Sequence, residues 1–142
     1  MKIILLEDIS EEAIKLFSEQ DDFMMDFLGA DGVYYTRYNK NERIKSVWLA
    51  YFDDLPIGCV AYRKKTLDVG EVKRMFIKHE YRGRGISKSL LNMVELYAKQ
   101  CGDHKLYLST RITLEPAVTL YRHFGFFETY RDGPYVEMEK KL

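Results

Sequence analysis

The chemistry-bearing stretch of this 142-residue chain is Arg82-Gly83-Arg84-Gly85-Ile86-Ser87. It follows the apolar run Met75-Phe76-Ile77 after a short polar link and opens a long helical pattern. Two glycines let the backbone turn sharply and leave no side chain in the way of an anion. A helix starting there points unpaired N–H groups and the positive end of its dipole into the loop. Two arginines add charge. The segment has the makings of a cradle for a phosphate or pyrophosphate. A plain strand-to-helix connector is the alternative. Position 88 is lysine where a dinucleotide fingerprint needs its third glycine. The Gly-x-x-x-x-Gly-Lys-Ser/Thr pattern of a P-loop is also absent.

The elements that must hold this loop can be read from periodicity. Residues 2–6 form a strand, and Asp8 or Ser10 caps a helix running through Ala13, Ile14, Leu16 and Phe17. Residues 21–28 form a second, weaker helical patch, and residues 29–40 form a loop. Strands over 47–52 and 57–63 make a hairpin around a turn at residues 53–56. Gly70 closes the next loop, and residues 71–77 form a further strand. Within it, Val72-Lys73-Arg74-Met75 breaks simple alternation, because two adjacent charges sit in a strand that should be central; a β-bulge would accommodate them. The helix over 84–100 buries Ile86, Leu90, Met93, Val94 and Tyr97 and ends at Gly102. A strand over 105–109 leads to a helix over 114–124, with Thr113 as cap, Pro116 in the first turn and Gly125 as stop. Strands over 126–130 and 135–138 close the chain around Asp132-Gly133-Pro134. No linker composition or repeat divides it, so residues 1–142 form one α/β (α+β mixed-sheet) domain.

Composition narrows the function. Lys+Arg and Asp+Glu are both 22, and this balance lacks the broad basic face of a general nucleic-acid binder. No stretch approaches the ~18 apolar residues of a membrane span. Cys59 and Cys101 are the only cysteines and fall outside metal-ligand spacing, which suits buried or incidental thiols in a reducing cytoplasm. No His/Asp/Glu cluster argues for a metal. His79, His104 and His123 fall at helix ends or in polar loops, and neither cysteine has a histidine partner in sequence. Covalent catalysis therefore has no support, and direct transfer between two bound substrates is the expectation.

Arg82-x-x-Gly85-x-Ser87 after a strand is followed about thirty residues later by Ala117-x-x-Leu120-Tyr121-x-x-x-Gly125-Phe126. Together they resemble the GNAT superfamily of acetyl-CoA-dependent N-acetyltransferases, over roughly residues 71–138. The resemblance implies the acyl-CoA N-acyltransferase fold, a central and mostly antiparallel sheet flanked by helices. It implies acetyl-CoA as co-substrate, with its pyrophosphate on the backbone amides of Gly83, Arg84, Gly85, Ile86, Ser87 and Lys88. Arg82 and Arg84 would screen the diphosphate. The backbone of Met75, Phe76 and Ile77 would pair with the pantetheine arm, and an amide there would face the carbonyl oxygen where negative charge develops. Tyr121 would give the departing thiolate its proton, since a phenol near pKa ~10 is close to an alkyl thiol. An ordinary core tyrosine is the alternative reading. Glu71 matches the position of a base that acts in some members, often through water; a strand-end carboxylate is the other reading, and water alone could serve. The chain departs from the family in having Ser87 for glycine or alanine, and Leu114 where many members have asparagine.

The acceptor would be an amine, a small molecule or a protein or peptide amine. The family places its cleft between the N-terminal helices with their loop and the last hairpin. Here that means Asp21, Asp22, Asp26, Asp31, Tyr34, Tyr35 and Tyr38 on one side, with Tyr130, Arg131 and Tyr135 on the other. Carboxylates with aromatic rings suit an amine. A non-catalytic acyl-CoA-binding or regulatory domain on the same fold is the alternative from another class. The last strands offer an open edge through which a homodimer could form.

Overall fold

The computed structural model describes residues 1–29, 40–44 and 46–142. The chain runs β1 (Lys2–Leu6), α1 (Glu11–Leu28), β2 (Ser46–Phe52), β3 (Leu55–Thr66), β4 (Val69–Ile77), α2 (Ile86–Gln100), β5 (Lys105–Arg111), α3 (Glu115–Phe124), β6 (Phe127–Asp132) and β7 (Tyr135–Lys141). A short 3₁₀ turn over His79–Tyr81 links β4 to the loop before α2. The strands form one seven-stranded sheet in the order β1-β2-β3-β4-β5-β7-β6. Every neighbouring pair is antiparallel except β4 with β5. The mixed, mostly antiparallel sheet expected from the sequence is therefore present. No helix among the described residues is long and apolar enough to cross a membrane.

Helices cover both faces. On one side α2 and α3 press Ile86, Leu90, Leu91, Val94, Ala98 and Tyr121 onto Trp48, Val60, Leu106, Leu108 and Met138. On the other, α1 buries Ala13, Leu16 and Phe17 against Val47, Leu49, Cys59, Ala61 and Phe76. Met93 is exposed instead of buried, because the contact stripe of α2 follows the i, i+4 row 86-90-94-98 with Leu91 beside it.

Several local expectations are corrected. Residues 21–28 are the second half of one eighteen-residue helix, which Ser10 caps by accepting the Ala13 N–H at 3.1 Å. The hairpin turn has two central residues, Asp53 and Asp54, both at positive φ (49° and 68°) as a tight primed turn requires. Gly70 lies inside β4, not in a loop: a Cβ there would stand 2.4 Å from the Tyr62 ring and 2.6 Å from an Asp103 carboxylate oxygen. Thr113 is not the cap of α3; Leu114 holds that position without a side-chain cap bond, and Pro116 sits in the first turn where no N–H is needed.

Candidate active site

The site begins where β4 and β5 part. Their parallel ladder holds only Val69↔Lys105, Gly70↔Leu106 and Glu71↔Tyr107, after which the strands diverge. β4 also bulges: Cys59 faces Phe76 and Ala61 faces Lys73, so β4 spends one more residue than β3 over this stretch. Arg74 takes the strain, with φ of 57°. The bulge puts Lys73 and Arg74 on the same face, that of α1, and so admits two adjacent charges.

The bulge is braced from α1. Arg74 is buried, with its Nη1 donating to Asp21 Oδ1 (2.6 Å), Gln20 Oε1 (3.2 Å) and the Phe17 carbonyl (3.4 Å), and its Nε donating to Asn41 Oδ1 (3.0 Å). Gln20, 1% exposed, donates its amide to the Met75 carbonyl at 2.9 Å. The Cys59 thiol donates to the Arg74 carbonyl at 3.2 Å, and burial pushes its pKa up to about 12, so it remains a thiol. The helix α1, the strand β3 and Asn41 thus fix one irregular stretch of backbone.

The divergence opens a cleft of about 800 Å³. Glu71, Met75 and Tyr121 all line it, from β4 and α3. Glu71 is buried, and Arg63 Nε donates to its Oε1 at 2.8 Å. Tyr121 is buried, its ring edge-on to Phe126 with centroids 5.9 Å apart. Leu114 lies on the same wall. Phe76 and Ile77 are core residues on opposite faces of the sheet, and neither lines the cleft.

Beyond β4 lies the glycine loop. Gly83 and Gly85 both have φ of 77°, and a Cβ at either would meet nothing within 4 Å. They serve the left-handed backbone and leave the space above it open. Ser89 N–H bonds the Gly85 carbonyl at 3.1 Å, and among the described residues the amides from Gly83 to Lys88 have no backbone acceptor. Arg82 is turned back on the fold: its Nε donates to the Ile77 carbonyl (2.9 Å) and its guanidinium lies over the rings of Phe23 (4.7 Å) and Phe76 (5.8 Å). Arg84 lies over the Tyr81 ring at 5.2 Å. Ile86 is buried, Ser87 half-buried and Lys88 exposed at the start of α2.

Of the residues expected on the last hairpin, Tyr130 and Tyr135 line the cleft. Arg131 does not; it makes a two-pronged pair with Glu128 at 2.7 Å on the exposed edge strand β6. Asp21 is committed to Arg74, and Asp22 and Asp26 are exposed. Asp31, Tyr34, Tyr35 and Tyr38 lie outside the described residues. The sequence reading missed Tyr107, Arg111 and Glu137, which also line this wall. The hydroxyls of Tyr107 (2.8 Å) and Tyr135 (2.5 Å) both donate to Glu137 Oε2, and burial, with these bonds, raises both phenols above their ordinary pKa. The polar alternation Tyr107-x-Ser109-x-Arg111 was the available signal.

The sequence pattern of the Acetyltransferase (GNAT) family matches residues 7–126. An uncharacterised N-acetyltransferase of Schizosaccharomyces pombe is 29% identical over 138 residues, covering 86% of this chain and 85% of its own. Several other curated relatives are matched over about half their length or less. A Klebsiella pneumoniae structure described as an acyl-CoA N-acyltransferase superposes with a TM-score of 0.80 at 24% identity, over 99% of this chain and 97% of that one. An Elizabethkingia anophelis GNAT acetyltransferase crystallised with acetyl-CoA bound shares the fold at a TM-score of 0.63 and 20% identity, over 77% and 82% of the two chains.

Proposed function

The chain belongs to the Acetyltransferase (GNAT) family, and from that premise we propose that it transfers the acetyl group of acetyl-CoA to a primary amine by direct attack, with both substrates bound together. The observation that carries this reading is the junction of three features at one place: the parting of β4 from β5, the braced bulge at Arg74, and a cleft walled by both Glu71 and Tyr121.

Acetyl-CoA, when bound, supplies a thioester carbonyl activated toward an amine. The unpaired amides from Gly83 to Lys88 and the N-terminus of α2 suit its pyrophosphate. Arg82 anchors that loop to the end of β4 and places positive charge at its base, with Arg84 and Lys88 adding theirs at the surface. Beyond Glu71 β5 no longer pairs with β4, which leaves backbone along Met75, Phe76 and Ile77 for the pantetheine arm to follow, with the Met75 and Ile77 carbonyls already held by Gln20 and Arg82. Glu71, oriented by Arg63, takes the proton that the acceptor's ammonium must lose, directly or through water. Tyr121 gives a proton to the departing thiolate.

The experiment is amine-dependent release of the CoA thiol, followed across a panel of amines. Release that rises with amine concentration supports the enzyme. Acetyl-CoA binding with no release by any amine would leave an acyl-CoA-binding domain in its place.

A further inference from the structure

Among the described residues, the acceptor wall carries more positive than negative charge. Arg63, Lys65, Lys73, Arg74 and Arg111 line the cleft, against Glu71, Asp132 and Glu137. The inner carboxylates are already engaged: Glu71 by Arg63, Glu137 by two tyrosine hydroxyls, and neighbouring Asp21 by Arg74. A substrate that brought only extra positive charge would have to displace one of these partners.

Lys73 is the opposite case. It is half-buried on the cleft wall, and among the described residues no carboxylate lies within ion-pair distance of its ammonium. Burial first, and then the charges of Arg63, Arg74 and Lys65 against the opposing pull of Glu71, lower its pKa to about 8. An anion brought beside it would relieve that cost. Lys65 reinforces the same wall, its Nζ 3.8 Å from the Tyr107 ring centroid. Glu71 and Lys73 stand at i and i+2 of one strand, on the same face and about 7 Å apart along it. That separation puts a proton acceptor and a flexible cation at the two ends of an amino-acid-sized ligand.

Resting on the acetyltransferase reading above, we infer that the acceptor is an amine that also carries a carboxylate, with Lys73 holding the carboxylate while the amino group faces Glu71. The tyrosines at 107, 130 and 135 provide an aromatic wall for the remainder of such a molecule.

The test compares matched pairs of acceptors, phenylalanine with 2-phenylethylamine and tyrosine with tyramine, with spermidine as a polycation. CoA release is measured, and acetyl-CoA binding is followed by calorimetry on the same samples. Wild type is expected to favour the carboxylate-bearing member by about tenfold or more in kcat/KM, the size of one charge-assisted contact. Lys73→Met should erase the preference through KM, and Lys73→Arg should retain it. Equal or better use of the decarboxylated amines or of spermidine overturns the inference. So does a preference that survives in Lys73→Met, or an absence of release with both members of each pair while another amine releases CoA; binding with no release by any amine counts against the enzyme reading. Failure of wild type to bind acetyl-CoA overturns instead the reading beneath it.

Discussion

Gln20 lies on a helix more than fifty residues in sequence from Arg74 and Met75, yet its side chain holds the bulge in β4. It donates to the Met75 carbonyl at 2.9 Å and accepts from Arg74 at 3.2 Å, at 1% exposure. Gln20→Leu keeps much of the volume and removes both bonds. Arg74 keeps Asp21, Asn41 and the Phe17 carbonyl, so its loss is partial. The Met75 carbonyl loses its side-chain donor in a partly buried place. An orphaned buried acceptor costs ~1–3 kcal/mol, and a weakened charge-assisted bond adds to it, so the expected loss is about 2–3 kcal/mol. For a chain of this size that is a fall in Tm of roughly 6–10 °C. Gln20→Glu separates the two bonds, since a carboxylate still serves Arg74 but gives Met75 no donor. Thermal unfolding followed by circular dichroism, with CoA release on the same samples, reads both effects. Both variants should lose turnover, and Gln20→Glu should lie between Gln20→Leu and wild type in Tm. A Tm within a degree of wild type for Gln20→Leu would refute the brace.

Gly70→Ala forces a Cβ against the Tyr62 ring and Asp103 inside β4, so overpacking should cost about 1–3 kcal/mol, seen as an earlier urea midpoint. An unchanged midpoint would show that the Tyr62–Asp103 pair yields freely. Tyr121→Phe should lower the turnover rate while acetyl-CoA affinity stays within a few-fold; unchanged turnover removes the tyrosine from proton transfer. Lys73 gives a pH signature. Its folded pKa of about 8 lies below the ordinary 10.5, so between those values the unfolded chain binds the extra proton and stability rises with pH. The stability difference between wild type and Lys73→Met should therefore move in favour of wild type from pH 8 towards 10.5, and a flat difference would contradict the assigned shift.

The glycine loop, the helix that follows it and the bulge were legible because their signals are local. Gly83 and Gly85 bracket a turn, and Lys73-Arg74 breaks an alternation that only an extra residue can repair. The continuity of α1 was not, because Asp21 and Gln20 look like polar interruptions until Arg74, more than fifty residues away, is placed against them. Gly70 suggests a loop, since nothing nearby in sequence shows that Tyr62 and Asp103 converge on it. The cleft wall was hidden for a related reason. Tyr107, Ser109 and Arg111 alternate as a solvent-facing strand face would, and only the parting of β4 and β5 makes that face the wall of a site. Of the aspartates expected to attract an amine, Asp21 is drawn away by a distant partner, since it serves the bulge.

A calorimetric titration of the folded protein with acetyl-CoA, with ATP and NAD as controls, tests the acetyl-CoA site most directly. One equivalent bound in the micromolar range, with neither nucleotide competing, is the expected result. No heat from acetyl-CoA, or equal binding of ATP, would make the loop from Arg82 to Ser87 a connector or a general phosphate site and contradict the acetyltransferase reading.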